Sequence, residues 1–127
     1  MLILNHPYIE SLKIARVRSK EEIANTLPSD FLVLTCDSLI QTLALARYCS
    51  SNTITYASLV TSIKESLLLV NLNVQFLLCT DINLAKSLQK LAETYLFDAK
   101  ILLCIQKEEE IEKIAEYGID GVLFASF

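Results

Sequence analysis

The chain has very little glycine: only two of its 127 residues, Gly118 and Gly121. A loop that cradles phosphate against bare backbone needs several, so the P-loop and the GxGxxG dinucleotide fingerprint are both excluded. Histidine is as scarce. His6 is the only one, close to the N-terminus, which gives a Ser-His-Asp or Cys-His arrangement poor prospects and makes His6 an expected surface residue. The four cysteines, Cys36, Cys49, Cys79 and Cys104, include no CxxC pair, so zinc-ligand spacing is missing. Three of the four lie in apolar, strand-like runs, where a thiol packs as a small hydrophobe; a redox or metal role is the alternative.

Long apolar spans are also lacking, although 53% of the residues are hydrophobic. The longest uncharged stretches, residues 48–63 and 66–80, are interrupted by Ser, Thr, Asn and Gln. A spanning helix wants 18 or more apolar residues, so no membrane segment is expected. The opening MLILNHPYIE has no basic start and no small-residue cleavage site, which points to a cytoplasmic protein. Net charge is −4, and Lys and Arg are scattered singly. Phosphate-backbone binding therefore has little to work with, and no nucleic-acid partner is expected.

What is present is a regular alternation. Apolar runs at 12–17, 31–36, 53–56, 74–79, 101–105 and 121–125 read as strands, with 74–79 buried on both faces. Between them lie five helical stretches. From Leu84, apolar residues recur at 84, 85, 88, 91, 92, 95 and 96, one buried stripe on a helix. Ser19 with Glu22 and Ser62 with Glu65 have capping-box spacing. In the first helix Ile23 and Leu27 are expected inside, and in the fifth Ile111, Ile114 and Ala115. Gly118 reads as a left-handed C-cap. Six strands alternating with five helices predict a single α/β domain of residues 1–127. Its expected form is a three-layer, mostly parallel sheet of Rossmann or flavodoxin type, with a partial (βα)-barrel-like arrangement as the alternative.

One phrase is written twice: FLVLTCDS at 31–38 and FLLCTDIN at 76–83. Ligands of parallel α/β sheets bind outside the carboxyl ends of the strands, where strand order reverses. Those ends carry Arg16, Arg18, Ser19, Thr35, Asp37, Ser38, Tyr56, Ser58, Thr80, Asp81, Asn83, Gln106, Lys107 and Ser126. The candidate binding rim is Thr35, Asp37, Ser38, Thr80, Asp81 and Asn83. The two carboxylates there, Asp37 and Asp81, with the two threonine hydroxyls, are candidates to hold Mg²⁺, a ribose or a phosphoryl group, the aspartates as the metal ligands. The simpler reading is that Asp37 or Ser38, and Asp81, cap the helices that follow. On that reading no metal or cofactor is expected.

Helix 38–49 is apolar nearly all round, with only Gln41, Thr42 and Arg47 clearly polar. Such a helix is buried on more than one side, so a homodimer through it is expected, with a deep core helix as the alternative. The run Glu108-Glu109-Glu110 fits a favourable first helical turn.

Thr80-Asp81-Ile82-Asn83, followed by Gly118-Ile119-Asp120-Gly121-Val122, resembles the second half of the Rossmann-type regulatory nucleotide-binding domains of potassium transport (the RCK type). The resemblance covers residues 74–124 and implies the fold. That family's glycine fingerprint would follow strand 31–36, where Thr35-Cys36-Asp37-Ser38 stands. Asp37 and Asp81 also resemble the acidic and phosphoacceptor positions of phospho-receiver domains, with Gln106 where these carry Ser or Thr. The expected function is a non-catalytic cytoplasmic regulatory or protein-interaction domain that self-associates. The alternative is binding of a phosphorylated metabolite or nucleotide, or metal-dependent phosphate chemistry, on the strand-end rim.

Overall fold

The computed structural model describes residues 1–127. Its elements run β1 (Leu2–Leu4), β2 (Ile14–Val17), α1 (Lys20–Ala24), β3 (Phe31–Leu34), α2 (Leu39–Ser51) and β4 (Ala57–Leu59). They continue with α3 (Ile63–Val70), β5 (Phe76–Cys79), α4 (Ile82–Tyr95), β6 (Lys100–Ile105), α5 (Glu110–Glu116) and β7 (Gly121–Phe124). The α/β class and the five helices are as expected. The sheet has seven strands rather than six, and every pairing in it is parallel. The extra strand is β1, too short to carry a periodic signal, which registers Leu2 opposite Gly121. A Cβ on Gly121 would lie 2.5 Å from the Leu2 carbonyl oxygen and 2.9 Å from Leu102 Cδ2, so only glycine lets β1 approach β7.

Strand order is β1-β7-β6-β5-β4-β3-β2. From β2 to β7 each strand lies beside its successor, the ordering of the barrel-like alternative, and the sheet is curled. There is no reversal among these strands; the jump in order joins the two sheet edges, β1 and β2.

Alternating side chains divide the core in two. Leu32, Leu34, Leu77, Cys79, Ile101, Leu103 and Val122 join the larger cluster, to which all five helices contribute, from Ile23 of α1 to Ile114 of α5. The intervening Val33, Ala57, Leu78, Leu102 and Leu123, one from each of β3 to β7, form a second cluster. Leu4, Leu12, Ile14, Ala125 and Phe127 close over it. Layers therefore run from helices, through the sheet, to this second apolar cluster.

Several local expectations are corrected. The apolar run 53–56 is not β4: Thr53 takes φ 56°, and Ile54 N–H reaches back to the Cys49 carbonyl at 2.8 Å, closing α2. The strand starts only after Tyr56, whose N–H is taken by Gln75 Oε1. Tyr56 thus lies at the amino end of β4, and Ser58 is buried within it. The stripe of α4 holds at Ala85, Leu88 and Ala92, but the helix stops at Tyr95 with Leu96 left-handed, so both of these are exposed. Leu27 and Ala115 are likewise exposed, because α1 ends at Ala24 and Ile114 alone is buried on α5. Gly118 is left-handed as expected, with φ 70°.

Candidate functional site

Each strand-to-helix junction on the carboxyl side has orphan helix N–H groups to satisfy. Ser19, Ser38, Ser62 and Asp81 do so: their side-chain oxygens accept from Glu22, Gln41, Glu65 and Leu84 N–H respectively, at 3.0–3.2 Å. Both capping-box serines are therefore confirmed as caps, and so are Ser38 and Asp81 of the repeated phrase. Asp37 caps nothing. Its carboxylate is solvent-exposed and pairs with Arg18 at 3.3 Å.

A cavity of about 520 Å³ opens at the carboxyl ends of β2, β3 and β4. β2 and its loop supply Arg16 and Arg18; β3 and its loop supply Thr35, Cys36, Asp37 and Ser38; the β4 loop supplies Thr61. Thr42 of α2, with the first-turn residues Glu22 of α1 and Glu65 of α3, completes the polar wall, and Phe127 and Leu59 the apolar one. Gln41 Nε2 donates to the Arg18 carbonyl at 2.9 Å, fastening the start of α2 to the β2 loop.

Of the six residues of the predicted rim, Thr35, Asp37 and Ser38 line this cavity. Thr80, Asp81 and Asn83 do not; they are exposed at the β5–α4 junction. The two aspartates therefore do not share one site. No three His, Cys, Asp or Glu side chains stand together as a metal-binding group. Among the residues that sequence reasoning left out are Glu22, Thr42, Thr61, Glu65 and Phe127. For Glu22 and Glu65 a signal existed: the third position of a capped helix lies on the carboxyl rim, so both capping boxes point here. Phe127 gave none.

Electrostatics distinguish the cavity's groups. Burial pushes the Glu65 carboxyl above its usual range. Burial also raises the Cys36 thiol, against the opposing influence of Thr42 and Arg18 beside it. Arg16 donates to the Ser126 carbonyl, and its guanidinium stacks 4.6 Å from the centre of the Phe127 ring. Arg18–Asp37 is the only pairing of an arginine or lysine with a carboxylate side chain in the protein. Arg16 is a cation without a carboxylate partner.

His6 corrects a further expectation. It is buried, with its ring edge-on to Phe124 at 5.1 Å. Its Nδ1 accepts from Tyr8 N–H at 3.1 Å, so the proton sits on Nε2, which donates to Glu108 Oε1 at 2.7 Å. Both nitrogens are spent on holding the N-terminal turn to the end of β6. Glu108 precedes α5 and belongs to this tie rather than to a helical first turn.

The chain matches no protein-family model and no curated protein. No helix is long and apolar enough to cross a membrane.

Proposed function

We propose that the chain is a cytoplasmic, non-catalytic regulatory domain that binds a phosphorylated metabolite or nucleotide in the cavity beside α2. The observation that supports it is the convergence of Arg16, Arg18 and the hydroxyls of Thr35, Ser38 and Thr61 on that cavity. Guanidinium and hydroxyl donors at a helix start are the groups that recognise phosphoryl oxygens. The groups nearest to chemistry are poorly placed for it: Asp37 is ion-paired, and burial raises the Cys36 thiol. A thermal-shift screen of mono- and dinucleotides, sugar phosphates and acetyl phosphate, with and without Mg²⁺, tests the reading. A ligand at a hundred times its Kd adds roughly 2.7 kcal/mol, readily seen in a domain of this size. A flat screen rejects it. A shift that requires Mg²⁺ and vanishes in both Asp37→Asn and Asp81→Asn would replace it with metal-dependent phosphate chemistry.

The second reading, self-association through α2, is favoured by Ile40, which is 83% exposed. Ala44 and Arg47 follow it on the exposed side of the helix. Sedimentation of the wild type against Ile40→Glu tests it; a wild type that is monomeric at every concentration sinks the idea.

A further inference from the structure

We infer that Arg16 receives the anionic group of the ligand, and that residues 124–127 position it to do so. The inference rests on the proposed binding function and names the residue that selects the ligand. Of the cavity's two guanidiniums, Arg18 is paired with Asp37. Arg16 donates to a neutral carbonyl and lies on an aromatic ring, with no carboxylate side chain at ion-pair distance. An incoming phosphoryl group therefore finds at Arg16 the guanidinium of the cavity that no carboxylate side chain holds. The other two carboxylates of the cavity, Glu22 and Glu65, belong to the first turns of α1 and α3; they suit hydroxyl donors on the remainder of the ligand.

The segment after β7 explains how Arg16 is held. Three successive carbonyls are each claimed by a side chain from a different strand end. Phe124 C=O accepts from Asn5 Nδ2 at 2.9 Å, Ala125 C=O from Gln106 Nε2 at 2.8 Å, and Ser126 C=O from Arg16. Asn5 Oδ1 also accepts from Leu12 N–H at 2.9 Å, just ahead of β2. The segment thus lies over the carboxyl end of the sheet from β7 onward, and by binding both Asn5, just beyond β1, and Arg16 of β2 it links the two edges that no ladder joins. It ends with Phe127 packed on the inner cluster and lining the cavity. A guanidinium has five donors in one plane. One is spent on Ser126 and one face lies on Phe127, which fixes the plane and leaves donors for a bidentate contact with phosphate.

The test is an NMR titration of the full chain with inorganic phosphate at constant ionic strength, following backbone amides around the cavity. Wild type should give a saturable shift at residues 16, 35–38, 126 and 127. Arg16→Gln should weaken it by roughly 10- to 100-fold, the range for a lost charged hydrogen bond, and Arg16→Lys should recover part of the loss. Arg18→Gln should change it by less than about threefold, as befits an exposed pair. Phe127→Ala should weaken phosphate binding with the fold retained, and Phe127→Tyr should restore it. Saturation in Arg16→Gln equal to wild type overturns the assignment while leaving the cavity as a binding site. Wild-type affinity in Phe127→Ala overturns the positioning role. No saturable shift at any cavity amide of the wild type overturns both this inference and the proposed function.

Discussion

Residues 31–38 and 76–83 begin alike and end differently. Both phrases form a four-residue strand, Phe31–Leu34 and Phe76–Cys79, with Phe31 and Phe76 in contact at 5.4 Å between ring centres. In both, the third residue, Val33 or Leu78, enters the inner cluster while its neighbours face the helices. The divergence comes after the strand. Thr80 alone separates Cys79 from the cap Asp81, whereas Thr35, Cys36 and Asp37 separate Leu34 from the cap Ser38. The longer loop reaches the Arg-bearing end of β2 and walls a cavity; the shorter one only starts a helix. Two aspartates of similar sequence context thus have unlike roles: Asp81 stabilises α4, and Asp37 balances Arg18.

The comparison breaks most visibly in the strands. Leu78→Ala should destabilise by about 2–5 kcal/mol, as fully buried leucines do, and Val33→Ala by less because fewer methyl groups are lost. Urea unfolding of the pair measures this, and equal costs would mean that the two strands are not equivalent in the inner cluster.

Next in size is the response to alkali, which separates position 34 from position 79. Burial holds the Cys79 and Cys104 thiols up to about 12 and Cys49 up to about 11. These thiols ionise near 9 when unfolded, so the unfolded chain loses protons first. Stability is then complete below pH 9 and falls above it, by about 1.4 kcal/mol per pH unit for each such thiol. Cys79→Val should flatten the fall, and a wild type of constant stability from pH 9 to 10.5 would refute the burial of these groups.

The caps come third. Asp81→Ala and Ser38→Ala should each cost about 1 kcal/mol by thermal or chemical unfolding, and Asp81→Ala should leave phosphate binding unchanged. The smallest effect sharpens the contrast most. Asp37→Asn should alter stability by less than about 0.5 kcal/mol, since the side chain is exposed and only ion-paired. It should tighten phosphate binding a few-fold, because Arg18 is released; weaker binding would show that the pair orders the site.

Much of this was legible beforehand. Ser19, Ser38, Ser62 and Asp81 were readable as caps because capping depends on one side chain and the next turn. The apolar runs marked the strands because burial on both faces demands it. The failures share a cause. Leu2–Leu4 becomes a strand only because Gly121 offers it an edge, and Thr53–Thr55 is lost to the turn that ends α2. His6 is buried because Glu108, a residue 102 positions away, completes its hydrogen bonds. None of these partners is near in sequence.

The amino-acid sequence by itself determined the α/β alternation, the parallel sheet, the capped helices and the rim on which ligand-facing residues lie. These follow from local hydrogen-bond needs and from the period of the apolar residues. Only the tertiary structure decided which half of that rim became a cavity. The curl of the sheet, and the course of residues 124–127 over its carboxyl end, bring Arg16 beside Phe127 while leaving Asp81 a cap. Such contacts depend on how distant strand ends meet in space, which no local pattern encodes.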